Sequence, residues 1–286
     1  MKILVIGGSL YFGKKLTELL LSQRHEVTLL NRGNRDDGFG DRVSRIICDR
    51  TDIKKMKRLL EASHWDVVYD QVCYDYQTAK AACEIFEGKV KHYIFTSSQS
   101  VYDAGANLLE DEFSPTTHQF SKEETANSNY AEAKRQAEVG FERHANFPTT
   151  YVRFPIVLGK EDYTNRLIFH VNKIKNGEEI FFHNLEASIS FIAAEDAAKS
   201  LLHIADNNIL GPINCCNQGS IKIGELVELI EQKVNKKVVL ANEKSTDNSS
   251  PYGIDQDWYM SSKKLQQSGL SLTPVKEMVS KVLTMV

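Results

Sequence analysis

The stretch KILVIGGSLYFGKKL, residues 2–16, decides how this chain begins to fold. Its first residues are aliphatic and partly β-branched, which is typical of a buried strand. Two adjacent glycines interrupt this run, and KKLTELLLSQ, residues 14–23, follows with apolar residues at helical spacing. The stretch therefore predicts a strand, a tight turn and a helix.

The same alternation of aliphatic runs and helical segments continues through the first 155 residues. The later runs are EVTLLN, VSRIICD, DVVYD, HYIFTSS and TTYVRF. Helices between strands make crossover connections, and crossovers join parallel strands with helices on both faces of the sheet. The sequence therefore predicts an α/β fold with a Rossmann-like doubly wound parallel sheet.

The alternation loosens beyond Pro155, yet no Pro-rich linker or internal repeat separates the two parts of the chain. We therefore expect a Rossmann domain at residues 1–155 and a smaller C-terminal α/β substrate lobe at residues 156–286. The lobe is expected to be interleaved, with residues 190–216 returning to the Rossmann domain.

Composition excludes several classes of protein. Hydrophobic residues make up 42% and charged residues 26% of the 286, which is typical of a folded globular chain. A net charge of -3 argues against binding that depends on neutralising nucleic-acid phosphates. No apolar run approaches the roughly 20 residues of a membrane helix. We expect a cytoplasmic protein that does not bind membranes.

The cysteines and histidines do not predict a metal site. The five cysteines form no C-x-x-C pair, and no histidines stand at zinc-finger spacing from them. A bridge between the adjacent Cys215 and Cys216 would close a strained ring. We therefore expect free thiols, as in a reducing cytosol.

The glycine turn predicts a site for a pyrophosphate. Gly7, Gly8 and Gly13 lie where the first strand meets the first helix, and glycine lets backbone N–H groups approach a phosphate closely. Leu10 stands where the usual G-x-x-G-x-x-G pattern has its middle glycine. The alternative is a plain turn between strand and helix.

The end of the second strand favours NADP as the cofactor, with NAD as the alternative. An acidic residue here would accept from the adenosine ribose hydroxyls, but the chain has Asn31, Arg32 and Arg35. Solvated arginines, or arginines stacked over adenine, remain alternatives. At the end of the third strand, Asp49 is a candidate acceptor for the adenine amino group, with Arg50 nearby.

Tyr130 and Lys134 form a candidate acid/base pair. The spacing alone is uninformative, because it recurs at Tyr11, Tyr76 and Tyr259. Only Tyr130 follows a strand that ends in serines, Ser97 and Ser98, at the sheet edge where such folds bind ligands.

The chemistry of this group supports a catalytic role. A tyrosine with a pKa near ~10 is a poor base at neutral pH, and a neighbouring ammonium favours its phenolate. Ser98 is then expected to hold the substrate oxygen that Tyr130 protonates or deprotonates.

The chain resembles the extended short-chain dehydrogenase/reductase family, the NAD(P)-dependent epimerases and dehydratases. The resemblance covers roughly residues 1–240 and is carried by GGSLYFG (7–13), TSSQSVY (96–102), YAEAK (130–134), VRFPIVLG (152–159) and SFIAAEDAAKSL (190–201). The glycine turn is also similar to that of the branch that includes chloroplast stem-loop-binding proteins.

The resemblance implies a set of site residues. Ser98, Tyr130 and Lys134 would be catalytic, with Lys134 also holding the nicotinamide ribose. Together with the motifs above, it gives these expected cofactor contacts: Gly7, Gly8, Ser9, Leu10, Tyr11, Phe12, Gly13, Asn31, Arg32, Arg35, Asp49, Arg50, Val72, Cys73, Ser97, Tyr130, Lys134, Phe154 and Pro155. It also implies a homodimer formed by the helix after the fourth strand and the Tyr130 helix, where Val139 and Phe141 either contact the partner or pack inward.

Departures from the family pattern bear on the substrate. Gln99 and Ser100 replace the acidic pair of sugar-nucleotide dehydratases, while Ile156 and the pair Ile189-Ser190 replace substrate-binding residues of sugar-nucleotide epimerases. Arg166 or Lys160 is a candidate source of the missing charge.

We therefore expect hydride transfer at a carbinol or keto carbon of a sugar-like or small carbonyl substrate, either as net reduction or as an epimerase cycle. The alternative is a dinucleotide-sensing or RNA-binding protein of the same fold.

Overall fold

A computed structural model describes residues 1–120 and 129–286. Seven parallel strands form the central sheet in the order β3-β2-β1-β4-β5-β7-β12. Their bounds are β1 Lys2–Ile6, β2 Glu26–Asn31, β3 Ser44–Ile47, β4 Trp65–Asp70, β5 Val90–Ser98, β7 Thr149–Phe154 and β12 Gly211–Asn214. The order reverses beside β1, as in doubly wound folds, so the predicted fold class is confirmed.

Helices cover both faces of this sheet. One face carries α1 Tyr11–Ser22 and α6 Ala194–Asp206, and the other carries α2 Ile53–Leu59, α3 Tyr76–Phe86 and α4 Tyr130–His144. Ile3 and Val5 of β1 pack into the first layer, and Leu4 and Ile6 pack into the second. A strand buried on both sides needs apolar residues at every position, which explains the run ILVI.

The remaining elements build a second layered unit with its own core. It contains α5 Arg166–Asn176, α7 Ile223–Val234 and α9 Val275–Leu283, whereas α8 Lys263–Gln267 packs beside β12 and buries Leu265 in the core of the central sheet. Its short strands are β6 Gly105–Leu108, β8 Ile156–Leu158, β9 Glu179–Ile180, β10 Ser188–Ile189, β11 Phe191–Ala193, β13 Ile221–Lys222, β14 Val239–Leu240 and β15 Trp258–Met260. They form one four-stranded sheet, β13-β10-β15-β6, and the pairs β11-β8 and β14-β9. No helix of the described residues is long and apolar enough to cross a membrane.

A buried ion pair fixes α4 to the sheet. Arg153 of β7 donates to Glu138 of α4 through Nε at 3.0 Å and Nη2 at 2.6 Å, and both side chains are fully buried. The other N–H groups of Arg153 donate to the Tyr102 hydroxyl and to the carbonyl oxygens of Glu110 and Phe113. Every guanidinium donor is therefore used, which a buried charge requires.

Replacing Glu138 with Gln should lower the free energy of unfolding by about 3 kcal/mol, because it leaves the Arg153 charge buried without its counter-ion. Urea denaturation measures this loss. The control is Glu186→Gln, which breaks an exposed pair with Lys222 and should cost less than about 1 kcal/mol. Equal losses in the two variants would contradict the structural role of the buried pair.

Candidate functional site

A cleft of about 600 Å³ opens at the carboxyl ends of the central strands. Predicted site residues on its wall are Gly7, Ser9, Leu10, Tyr11, Phe12, Asn31, Arg32, Arg35, Asp49, Arg50, Val72, Ser97, Ser98, Tyr130, Lys134, Phe154 and Pro155. Gly8, Gly13 and Cys73 lie behind this wall. A second cavity, of about 570 Å³, lies at the amino-terminal ends of β7 and β12, and its lining includes none of the predicted catalytic or cofactor-binding residues.

The glycine turn has room for a ligand but none for extra side chains. Gly7 has φ +92°, and a Cβ there would lie 2.9 Å from Val72. A Cβ on Gly13 would lie 2.8 Å from the Gly7 carbonyl oxygen. Gly8 instead lies over the core, where a Cβ would meet Val5, Thr17 and Leu29. The three glycines therefore serve close packing of strand, turn and helix.

The first turn of α1 has no side-chain cap. Leu10, its N-cap residue, is extended at φ -143° and has no side-chain cap. By contrast, Asp75 caps α3 and Asn129 caps α4. The N–H groups in the first turn of α1 therefore have no intrahelical acceptor and no capping side chain, which suits a pyrophosphate. Tyr11 takes a left-handed φ of +53° here, an uncommon value for a side chain of its size.

Two cleft residues carry buried nitrogen atoms that have no partner among residues 1–120 and 129–286. Gln71 Nε2 and Arg50 Nη1 are buried and make no hydrogen bond within these ranges. Buried donors are normally paired, so these two atoms are available to a polar ligand. With the open helix end, they fit the acceptor-rich phosphates and riboses of a dinucleotide.

The end of the cleft beside β2 presents arginines. Asn31 Oδ1 accepts from the Gly33 N–H at 2.9 Å and so holds the loop, while Arg32 and Arg35 are exposed. Hydrogen bonds from Thr51 lower the pKa of the Asp49 carboxyl, and the charge of Arg32 adds to this effect. Residues 31–35, at the end of β2, include no carboxylate.

Arg50 has a structural task as well as a place on the cleft wall. Its Nη2 donates to Asp70 Oδ2 at 2.7 Å, and the Tyr93 hydroxyl donates to the same oxygen at 2.7 Å. Arg50 and Asp70 are both buried. The guanidinium therefore links the end of β3 to β4, and within the described part of the chain its Nη1 makes no hydrogen bond.

Lys134 is buried at the centre of the cleft wall, with 2% of its surface exposed. Its Nζ donates to the carbonyl oxygens of Cys73 at 2.7 Å and Thr96 at 2.9 Å. It also lies 4.6 Å from the ring centroid of Tyr74 and 4.9 Å from that of Phe95. Burial lowers the pKa of Lys134 to about 8.

Tyr130 lies beside this ammonium and beside Ser98. Its ring centroid is 6.0 Å from Lys134 Nζ. Tyr130 exposes 54% of its surface, and burial raises the pKa of its phenol, while the neighbouring Ser98 hydroxyl and the charge of Arg166 act in the opposite direction. The structure therefore brings the three predicted catalytic side chains together around one end of the cleft.

The other tyrosine and lysine pairs have different surroundings. Lys15 pairs with Glu161 and Glu195, and the Tyr76 hydroxyl hydrogen-bonds to His144 at 2.8 Å. Lys263 is exposed. Lys134 thus differs from its counterparts in its complete burial.

Some of the predicted cofactor-binding residues make contacts within the protein. The Ser97 hydroxyl donates to Glu138 at 2.5 Å, and Cys73 contributes its carbonyl oxygen to Lys134 while its thiol is buried. Phe154 packs edge-to-face on Phe12 with centroids 5.6 Å apart. These residues shape the cleft rather than offer it a polar side chain.

Sequence reasoning missed other parts of the wall. These are Leu30, Gly33, Asn34, Cys48, Thr51, Gln71, Tyr74, Thr96, Val157 and Tyr163. Gln71 is the first and Tyr74 the fourth residue after β4, and residues that follow a parallel strand lie at the ligand edge of the sheet. That signal was present in the sequence.

A model of the NAD dependent epimerase/dehydratase family matches residues 3–216. The chain belongs to this family. It is also 32% identical over 140 residues to the chloroplast stem-loop binding protein of 41 kDa b of Arabidopsis thaliana. That match covers 43% of this chain and only 37% of the length of the relative.

Solved epimerase structures share the fold. UDP-glucose 4-epimerase of Thermotoga maritima has a TM-score of 0.75 at 15% identity, covering 100% of this chain and 98% of its own. UDP-glucuronic acid 4-epimerase of Bacillus cereus, in complex with NAD, gives 0.74 at 16% identity over the same shares. UDP-N-acetylglucosamine 4-epimerase of Methanobrevibacter ruminantium gives 0.76 at 18% identity, covering 99% and 97%. Each likeness concerns the fold.

The positions that depart from the family's substrate motifs are buried or bonded internally. Gln99 is 4% exposed, and its Nε2 donates to the Trp258 carbonyl oxygen at 2.7 Å. The Ser190 hydroxyl is buried and accepts from the Met260 N–H at 2.8 Å. Ile189 lies in the core of the second unit. In this member of the family, these positions build structure.

The lowered pKa of Lys134 predicts a pH-dependent stability. An unfolded lysine titrates near ~10.4, so between about pH 8 and 10 the unfolded chain binds more protons than the folded one. The free energy of unfolding should therefore rise by about 2 kcal/mol from pH 7.5 to 9.5, relative to Lys134→Met. Urea denaturation at both pH values measures this.

The exposed Lys91, replaced by Met, is the control and should follow the wild-type protein. Parallel pH profiles for the wild-type protein and Lys134→Met would contradict the burial of a charged ammonium.

Proposed function

We propose that the protein binds a nicotinamide dinucleotide in the cleft and catalyses hydride transfer at a carbinol or keto carbon. The observation that carries this proposal is the buried Lys134 ammonium beside Tyr130 and Ser98, at one end of a cleft whose middle is an open helix N-terminus. Membership of the epimerase/dehydratase family supports it.

The side chains of this chain would handle the proton. When bound, the nicotinamide accepts a hydride from the carbinol carbon or returns it to the carbonyl carbon. Ser98 holds the substrate oxygen, and the Tyr130 phenolate takes the hydroxyl proton as the alcohol is oxidised. Lys134 favours that phenolate by its charge. In reduction, the Tyr130 phenol gives the proton back.

We propose epimerisation as the leading reaction, because solved neighbours of this fold are 4-epimerases. An epimerase oxidises and then reduces the same carbon, so it consumes no cofactor. A carbonyl reductase would use the same residues and consume reduced cofactor. Absorbance of the reduced nicotinamide during turnover distinguishes the two reactions.

Replacing Tyr130 with Phe should lower turnover by about 100-fold or more, because the proton-transferring oxygen is lost. The affinity for the cofactor should be nearly unchanged, since only that oxygen is removed. Lys134→Met should impair both turnover and cofactor binding, since its ammonium is proposed to contact the phenol and the ribose. Ser98→Ala should lower turnover less than Tyr130→Phe does. Turnover assays and calorimetry with cofactor measure these effects.

The matched control for the tyrosine variant is Tyr76→Phe. Tyr76 has the same spacing to a lysine, but its hydroxyl bonds to His144 on α4. This variant should leave turnover largely unchanged. Equal losses in Tyr130→Phe and Tyr76→Phe would rule out the special role of Tyr130.

The form of the cofactor is a separate proposal. The NAD-bound structure of Bacillus cereus UDP-glucuronic acid 4-epimerase makes NAD the first candidate. The last residue of β2 is Asn31 rather than an acidic residue, and the exposed Arg32 and Arg35 that follow it offer positive charge to a 2′-phosphate. We therefore propose that the cleft accepts NADP at least as well as NAD.

Calorimetry should give an NADP affinity equal to or higher than that for NAD. Arg32→Asp should weaken NADP by about tenfold or more and leave NAD nearly unchanged, because the new carboxylate repels only the phosphorylated form. A clear preference of the wild-type protein for NAD would overturn the proposal for NADP without affecting the dinucleotide site.

RNA binding is the second candidate, favoured by the 32% identity to a chloroplast stem-loop binding protein. The net charge of -3 weighs against it. Gel shifts with structured RNA at physiological salt separate the two candidates. Tight binding that survives loss of the Tyr130 hydroxyl would favour the RNA candidate.

The predicted homodimer remains a proposal, and Val139 and Phe141 take the second of the two roles considered for them. Val139 and Phe141 are fully buried within the chain, so they pack inward and are not available to a partner. The packing of Phe141 against Tyr93 and Phe95 is the physical reason.

A further inference from the structure

We propose that Tyr74 is a positioning residue of the candidate site, whose ring face stabilises the charged form of the Lys134 ammonium beside Tyr130. The inference rests on the proposed hydride-transfer function and deepens it, because in that function the charge of Lys134 favours the Tyr130 phenolate. It follows from what surrounds the buried ammonium and from where the Tyr74 ring lies.

Lys134 has no carboxylate of its own in the described part of the chain. Three acidic side chains act on it from the surrounding elements, and each is bonded elsewhere. Asp70 and Glu138 form buried ion pairs with arginines, and Asp75 caps α3. Burial raises the pKa of the neighbouring Cys73 thiol to about 11, so this thiol is neutral at physiological pH. The charge of Lys134 is therefore stabilised mainly by neutral groups.

These neutral groups are two backbone carbonyl oxygens and a set of aromatic rings. The carbonyl oxygens accept from Lys134 Nζ at 2.7 and 2.9 Å, which uses two of its three N–H groups. The same Nζ lies over the rings of Tyr74, Phe95 and Tyr130, at 4.6, 4.9 and 6.0 Å from their centroids. The negative face of an aromatic ring attracts a cation, and more strongly where water is excluded. Of these three rings, Tyr74 lies nearest to the ammonium.

Tyr74 also differs from the other two rings in its place. Phe95 is fully buried in the core of the sheet, and Tyr130 is the proposed proton carrier. Tyr74 lines the cleft and exposes 47% of its surface, with its ring centroid 6.4 Å from that of Tyr130. Burial raises the pKa of Tyr74 to about 12, so its ring adds no charge of its own. It can therefore be replaced without opening the core or removing the reacting phenol.

The backbone on both sides of Tyr74 is fixed, and this brings the ring to the ammonium. Cys73, which precedes it, accepts from Lys134 through its carbonyl oxygen. Asp75, which follows it, closes a capping box with Thr78 at the start of α3. The contact between ring and ammonium thus depends on the short segment between β4 and α3.

Urea denaturation between about pH 6 and pH 10 tests this role without cofactor or substrate. The pKa of Lys134 is lower in the folded chain than in the unfolded chain, so the free energy of unfolding rises with pH above the folded value. Loss of the ring destabilises the charged form and lowers that value further. In Tyr74→Leu the rise should therefore begin about one pH unit lower than in the wild-type protein. Each profile is taken relative to the same chain with Lys134→Met.

Two further variants assign the shift to the ring face. Tyr74→Phe keeps the ring and should give the wild-type profile. Tyr163→Leu removes another exposed tyrosine of the cleft, whose ring packs on Tyr11, and should also give the wild-type profile. An unshifted profile for Tyr74→Leu, a shift to higher pH, or an equal shift in Tyr74→Phe or Tyr163→Leu would each overturn the inference.

Calorimetry with NAD connects the role to the proposed function. At pH 7.5, Tyr74→Leu should weaken NAD binding about threefold, because a pKa about one unit lower leaves about a third as much charged Lys134. At about pH 6, where Lys134 is charged in both proteins, the two affinities should converge. An equal loss at both pH values would overturn the charge role. Failure of the wild-type protein to bind NAD would contradict the proposed function, while the denaturation profiles would still test the role of Tyr74.

Discussion

The burial of one ammonium group organises both the fold and the candidate site. A charge removed from water is costly unless it is bonded, and Lys134 is held by carbonyl oxygens just beyond β4 and within β5, at Cys73 and Thr96. This arrangement ties α4 to two neighbouring strands at their ligand-binding edge. It also brings Tyr74, which follows Cys73, and Ser98, which lies two residues after Thr96, to the same end of the cleft.

Much of the fold could be predicted because the central strands leave little choice. A strand such as β1, apolar at every position, must lie in the middle of a sheet that is covered on both faces. The four-stranded sheet of the second unit could not be predicted in this way. Its strands β10 and β13 are two residues long, and β15 pairs with β6 across about half the chain. Such pairing is decided by tertiary packing, since a two-residue strand carries no periodic pattern.

Some residues of the candidate site could likewise be placed from the sequence, and others could not. Residues near the ends of long strands, such as Ser98, could be placed from the sequence because the edge of a parallel sheet is a defined location. The roles of residues that depend on side-chain orientation could not be predicted from the sequence. The Ser97 hydroxyl donates to Glu138 although Ser97 neighbours Ser98, and the Arg50 guanidinium donates mainly to Asp70. Tyr163 lies in a turn of the second unit, where neither strand nor helix periodicity indicates the cleft.

We propose that the cleft holds the cofactor with its nicotinamide ring at the Lys134 end. A crystal structure of the protein grown with oxidised cofactor tests this most directly. We expect the pyrophosphate over the first turn of α1 and the nicotinamide ring within contact of Tyr130 and Ser98. A cofactor bound in another cavity, or in this cleft with the nicotinamide ring away from Tyr130, would contradict it.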